Sequence, residues 1–217
     1  MLALVPGANA SAPLTFLVMG AHSDDIEIGC GGTILRLLAE RLNCTVYWVV
    51  FSSNAAREKE ARASAAEFLQ DASASTVKVQ NFRESYFPYV AAEVKDCFEE
   101  LKRTVDPDLI LTHHRHDVHQ DHRLIAELTW NTYRNHLIFE YEIPKYEGDL
   151  GKPNLFVPLS QSIANRKVEL LMQHFSTQKS RSWFRAEVFD GLLNLRGVEC
   201  NAPEGRAEAF HVRKCIL

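Results

Sequence analysis

The chain has no lysine or arginine before Arg36, no cysteine pair at CxxC spacing, no internal repeat and no low-complexity segment. Each absence excludes something. An N-terminus without basic residues, its apolar start interrupted by Pro6 and Gly7, does not read as a secretory signal, although Ala8-Asn9-Ala10 resembles a cleavage site. No apolar run approaches the roughly 18 residues of a membrane-spanning helix, so stable membrane insertion is not expected. The five cysteines, Cys30, Cys44, Cys97, Cys200 and Cys215, are odd in number, in a chain too large to need disulfide staples. They read as reduced thiols, hence a cytoplasmic location. The 24 basic residues against 28 acidic ones, net charge -4, form no basic stripe. No nucleic-acid partner is expected, and a small molecule is the default substrate.

What is present is length and apolar content: 217 residues at 46% hydrophobic are enough for one buried core. Residues 1–217 read as a single domain with a loose lead-in over 1–13. Strand-like and helix-like segments then alternate. Apolar or β-branched runs at 14–19, 45–53, 76–81 and 109–112 read as strands. Helical spacing appears at 34–42, 57–69, 91–104 and 122–134. Further on come a strand at 136–144, an exposed loop at 144–158, helices at 161–175 and 183–195, and a last strand at 207–216. The alternation predicts an α/β fold: a Rossmann-like open, mostly parallel sheet with helices on both faces.

Two polar clusters stand out. GAHSDDIEIGCGGT, residues 20–33, follows the first strand with His22, Asp24 and Asp25, and its glycines Gly29, Gly31 and Gly32 are expected to open the next helix. The glycines do not meet GxGxxG, so no dinucleotide site is expected. HHRHDVHQDHR, residues 113–123, follows the fourth strand and holds five of the nine histidines. In a sheet ordered 3-2-1-4, the order reverses between strands one and four, and the loops after them flank one crevice. The two clusters are therefore expected to be neighbours in space.

A histidine and a carboxylate from one loop with a histidine from another suit a catalytic Zn²⁺, which takes three protein ligands and leaves a position open for water. Of the adjacent aspartates, one can bind metal while the other serves as general base. A further histidine, held protonated, could stabilise an oxyanion or protonate a leaving amine. Metal-assisted hydrolysis is the expected chemistry.

AHSDDIEIGCGGT resembles the AHPDDE-type motif of the PIG-L/LmbE-like deacetylase family, and HDVHQDH is similar to its second, HxDH motif. KVELLMQHFSTQ at 167–178 and AEAF at 207–210 resemble further features, so the likeness covers nearly the whole chain. It implies that His22, Asp25 and His122 bind zinc, with Fe²⁺ as an alternative ion. It also implies that Asp24 is the general base, and that His119 is the electrostatic or acid histidine, tuned by Asp121. The implied activity is removal of an acyl group, usually acetyl, from the nitrogen of an amino sugar such as an N-acetylglucosamine conjugate. Ser23 stands where the motif has proline, and Ile26 where it has an acid, with Glu27 next.

Around this centre, Arg57, Asn81 and Arg83 sit at the same end of the sheet and are candidate substrate contacts for hydroxyls or a phosphate. His113, His114 and His116 are expected to line or support the site, and Asp117 to act as an N-cap. The rival readings are an amidase acting on a thiol-sugar conjugate and a sugar- or nucleotide-binding module without turnover. The stretches 141–158 and 175–183 would shape the pocket that separates them. Association into a homo-oligomer stays open.

Overall fold

The computed structural model describes residues 13–41 and 43–216. The lead-in as far as residue 12, with Ala8-Asn9-Ala10, and Leu42, expected as the end of the first helix's apolar face, lie outside the described residues. The chain runs β1 (Leu14–Gly20), α1 (Asp25–Glu40), β2 (Cys44–Val50), α2 (Ala55–Phe68), β3 (Ala74–Val79), α3 (Ala91–Thr104), β4 (Leu109–His113), α4 (Gln120–Thr132) and β5 (Leu137–Tyr141). It ends β6 (Leu155–Pro158), α5 (Gln161–His174), α6 (Ala186–Cys200) and β7 (Ala207–His211). The strands form one sheet in the order β3-β2-β1-β4-β5-β7-β6. The first five are parallel, and β7 runs antiparallel to both β5 and β6. No helix among the described residues is long and apolar enough to cross a membrane.

Alternation along the strands builds two cores. In β1, Phe16 and Val18 join the cluster beneath α1, α2, α5 and α6, while Leu17 and Met19 join the one beneath α3 and α4. Helices thus cover both faces, and β1 sits between β2 and β4 at the point where the strand order reverses. The loops after β1 and β4 open into one crevice.

Three local expectations are corrected. The glycines do not open α1, which begins at Asp25, four residues before the first of them. They are needed inside the helix for what they lack: a Cβ on Gly29 would stand 2.1 Å from Cδ2 of the buried Tyr141 ring, and one on Gly32 2.4 Å from Leu159 Cδ1. Gly29→Ala is expected to destabilise the fold by about 1–3 kcal/mol through overpacking, measured by urea unfolding. The loop expected at 144–158 ends in an edge strand, β6, paired only with β7. The helix expected from 183 starts instead at Ala186 and ends at Cys200, capped by Asn201, whose φ of 53° is left-handed.

Side chains from two later elements enter the hydrogen-bond ladder of α1. The Glu208 carboxylate of β7 accepts the backbone N–H groups of Gly32 (2.8 Å) and Thr33 (2.6 Å). The Lys167 ammonium of α5 donates to the Ile28 carbonyl (2.7 Å) and to Glu208 (2.6 Å). Both side chains are buried. The two late segments whose sequence likeness stood out, 167–178 and 207–210, therefore meet on the helix that follows His22 and Asp24.

Candidate metal centre

β1 ends at Gly20 and the chain turns tightly into α1. The His22 N–H donates to Asp25 Oδ2 (2.6 Å) and the Ala21 N–H to His113 Nε2 (2.9 Å). Asp24 occupies the N-cap position of α1 but makes no capping hydrogen bond. Its carboxylate is instead held by Arg57, whose Nη2 donates to Oδ1 at 2.8 Å, while Oδ2 is buried without a partner. On the other side, β4 ends at His113, and His119 caps α4 by accepting the Asp121 N–H on Nδ1. A neutral His119 therefore carries its proton on Nε2.

Three atoms converge between these loops. His22 Nδ1 lies 3.1 Å from His122 Nε2 and 3.3 Å from Asp25 Oδ2, and His122 Nε2 lies 3.5 Å from Asp25 Oδ2. Donors on a tetrahedral ion at 2.0–2.2 Å stand roughly 3.3–3.5 Å apart, so the triangle fits one face of such an ion. The outer nitrogens are occupied: His22 Nε2 pairs with Asp121 Oδ2 (3.1 Å) and His122 Nδ1 with Asp117 Oδ2 (2.9 Å). With those nitrogens donating, both inward nitrogens carry lone pairs, which face a carboxylate oxygen. This donor set suits a divalent cation.

A second grouping, Asp25, His113 and His122, also has donors within 4.8 Å of one another, as do His22, His119 and His122. The Nε2 lone pair of His113 already receives the Ala21 N–H, so His113 supports the turn, and its ring stacks on His122 at 3.9 Å. The electrostatics favour positive charge at His22 and negative charge at Asp25, and keep His122 a neutral imidazole. Burial alone would lower the His22 pKa, but the charge of Asp25 and hydrogen bonds with Asp121 and Asp25 raise it to about 10. Burial also works against ionised Asp25, yet His122, His113 and His22 hold it well below the usual carboxylate range. Burial and His113 depress His122 to about 3, against the pull of Asp25 and Asp117. Burial raises Asp24 to about 6 against the opposing charge of Arg57.

The sequence profile described as PIG-L, GlcNAc-PI de-N-acetylase, matches residues 17–133, more than half of the chain, and includes both loops. The chain belongs to the PIG-L family. No curated protein sequence matches it. Among solved structures, it is similar to the conserved protein TT1542 from Thermus thermophilus, with a TM-score of 0.74 and 19% identity over 94% of this chain and 96% of that one. It is also similar to an N,N'-diacetylchitobiose deacetylase from Pyrococcus horikoshii, with a TM-score of 0.69 and 19% identity over 91% and 83% of the two chains. The 4-carboxy-2-hydroxymuconate hydratase GalB of Pseudomonas putida aligns with a TM-score of 0.74 and 17% identity over 94% and 98%. At such identities the likeness is one of fold, and that fold is the α/β sheet described above.

The PIG-L match ends before the residues that wall the cleft on its far side. A cavity of about 210 Å³ opens over the centre, lined by His22, Asp24, Asp25, His119 and His122 together with later residues. Among these are Lys145, Tyr146 and Glu147 from the β5–β6 loop, and Gln178, Arg181 and Trp183 from the segment after α5. Both stretches expected to shape the pocket do line it. Glu60 of α2 fastens the second one by accepting from Ser176 Oγ, Thr177 N and Thr177 Oγ1.

Several residues sit differently from expectation. Arg57 is in the cleft, but its guanidinium is engaged by Asp24 and Glu84. Asn81 and Arg83 are exposed and do not line the cavity; Arg83 stacks over Tyr86 at 3.5 Å. Ser85, at φ 67°, turns this loop so that Glu84 lines the site instead. The Asp121 carboxylate faces His22 rather than His119, and it also accepts the Ser85 and Phe87 N–H groups. His119 is not held protonated: burial and the charge on His22 lower its pKa. Asp117 is more than a cap, since it holds both the His122 ring and the His119 N–H (2.8 Å). A carboxylate five residues before His122 was the available signal. Lys145 and Asp149 went unnoticed in a stretch rich in proline, glycine and charge.

Proposed function

We propose that this protein is a divalent-metal-dependent hydrolase that removes an acyl group, acetyl first, from the nitrogen of an amino sugar or of a small conjugate carrying one. The observation that carries the reading is the triangle of His22 Nδ1, Asp25 Oδ2 and His122 Nε2 beside the unpartnered Asp24 Oδ2. Those three side chains would hold the ion, with Zn²⁺ favoured by two imidazoles and a carboxylate, and Fe²⁺ the alternative. When bound, the ion supplies a Lewis acid that polarises an amide carbonyl and makes a water molecule more acidic.

The chain's own groups do the rest. Arg57 fixes one oxygen of Asp24, leaving Oδ2, buried at the wall of the cleft without a protein partner, to accept a proton from the attacking water. His119, neutral with its proton on Nε2, donates a hydrogen bond to the carbonyl oxygen as negative charge develops there. The proton on Asp24 then passes to the leaving nitrogen as the C–N bond breaks. The products are a carboxylic acid and the free amine. The open cleft has room for a small-molecule substrate, and we place the protein in the cytoplasm, a setting that suits unpaired cysteines.

The test measures metal content and acetate release side by side, on wild type and His122→Ala, with a panel of N-acetylglucosamine derivatives. We expect about one ion per chain in the wild type, with the ion and turnover lost together in the variant. Bound metal without amine from any N-acyl compound would favour addition of water to a carbon–carbon double bond, the reaction class of the Pseudomonas hydratase that shares the fold. Absence of metal from the wild type would overturn the proposal.

A further inference from the structure

We infer that Lys145 and Asp149, in the loop between β5 and β6, are a positioning pair that retains the metal ion by fastening the carboxylate of Asp117 behind His122. The inference rests on the reading that His22, Asp25 and His122 hold a divalent ion, and it extends that reading to a segment that supplies no ligand.

Asp117 Oδ2 receives two donors, His122 Nδ1 at 2.9 Å and Lys145 Nζ at 3.0 Å, while Oδ1 takes the His119 N–H at 2.8 Å. Lys145 Nζ in turn lies 2.8 Å from both oxygens of Asp149, and Asp149 Oδ2 accepts the Val118 N–H at 2.7 Å. Two loops that are not neighbours in sequence are thus stitched together around the carboxylate that orients a ligand histidine. The side chains of Asp117, Lys145 and Asp149 are 4%, 7% and 9% exposed, so bulk salt screens their attraction little. The base of the same loop is anchored independently. Arg196 binds both oxygens of Glu142 (2.9 and 2.8 Å) and the Gly151 carbonyl (3.2 Å). The tip therefore has a firm support from which to hold Asp117.

Without the pair, Asp117 loses one of the two donors that fix Oδ2, and the His122 ring is free to turn away from the triangle. Loss of an outer hydrogen-bonding partner of a metal-binding histidine typically costs 10–100-fold in metal affinity. Removing Lys145 alone would confound this, because deleting a positive charge near a cation site raises cation affinity while loss of orientation lowers it. The charge-neutral double variant Lys145→Met/Asp149→Asn separates the two effects.

The experiment measures Zn²⁺ affinity by competition with a chromophoric chelator and records the absorption spectrum of the Co²⁺-loaded protein. Neither readout requires a substrate. The double variant, which keeps Asp117, is expected to bind Zn²⁺ about tenfold more weakly, the lower end of that range, with an altered Co²⁺ spectrum. In an Asp117→Asn background the same double change should add no further loss, because the pair acts through Asp117. Should the Lys145→Met/Asp149→Asn variant fail to fold, the charge-neutral Lys145→Gln/Asp149→Asn, which keeps polar side chains at both positions, is expected to weaken binding in the same direction. Equal affinity in wild type and variant, or an undiminished loss in the Asp117→Asn background, overturns the inference alone. A wild type that binds no divalent ion overturns the metal-centre reading together with it.

Discussion

Asp24→Asn is expected to lower kcat by about 10²–10⁴-fold, the usual contribution of a positioned general base, while bound metal and KM change little. Asparagine keeps an oxygen that Arg57 Nη2 can reach, and Arg57 retains Glu84, so neither the turn nor the guanidinium loses its support. What disappears is the ionisable oxygen Oδ2, the buried acceptor in the cleft that no protein group satisfies. The check is steady-state kinetics on an N-acetylated amino sugar alongside metal analysis of the same preparation. A fall in rate below tenfold with full metal content would place the base elsewhere, and loss of metal would make Asp24 a support of the centre.

Glu208→Ala should cost about 3–5 kcal/mol of stability, the range for breaking a buried ion pair by removing one partner. The substitution strands the buried Lys167 ammonium and leaves the Gly32 and Thr33 N–H groups without their carboxylate, far from water. An unsatisfied buried donor costs about 1–3 kcal/mol in its own right. Glu208→Gln keeps an acceptor but removes the charge, and should fall between wild type and alanine. Urea unfolding monitored by circular dichroism decides it: a cost for alanine under about 1 kcal/mol would mean that α1 closes its own ladder without Glu208.

Much of this molecule was legible before any tertiary information. The runs at 14–19 and 109–112 are short, apolar and followed by polar clusters, and right-handed crossovers leave little freedom in ordering the strands that carry them. That reasoning placed the two clusters at one crevice, and the three residues that the family resemblance singled out, His22, Asp25 and His122, stand within 3.1–3.5 Å of one another. α3 occupies 91–104 as its spacing predicted.

Errors arose where a residue's role depends on a partner distant in sequence. The family resemblance pairs Asp121 with His119, and the charge of Asp121 does act on His119, but its carboxylate is hydrogen-bonded elsewhere. Because His119 stands outside α4 as its extended N-cap, it meets the Asp121 N–H, while the Asp121 carboxylate reaches His22 across the crevice. β6 is a strand because β7 pairs with it, and four residues after a proline carry too weak a pattern to announce that. Lys145 and Asp149 lie in a segment whose composition reads as solvated, and only folding buries them against Asp117.

The sequence by itself determined the alternating α/β architecture and the meeting of the two histidine- and aspartate-bearing clusters at one crevice, because hydrophobic period and local chemistry are written along the chain. The tertiary structure alone decided which carboxylate orients which histidine, which cations are already engaged by an aspartate or glutamate, and why α1 must be glycine-rich in its interior. Most of those contacts, such as His22 with Asp121 and Arg57 with Asp24, join residues tens of positions apart, and their energies depend on distance and burial, which no linear pattern encodes.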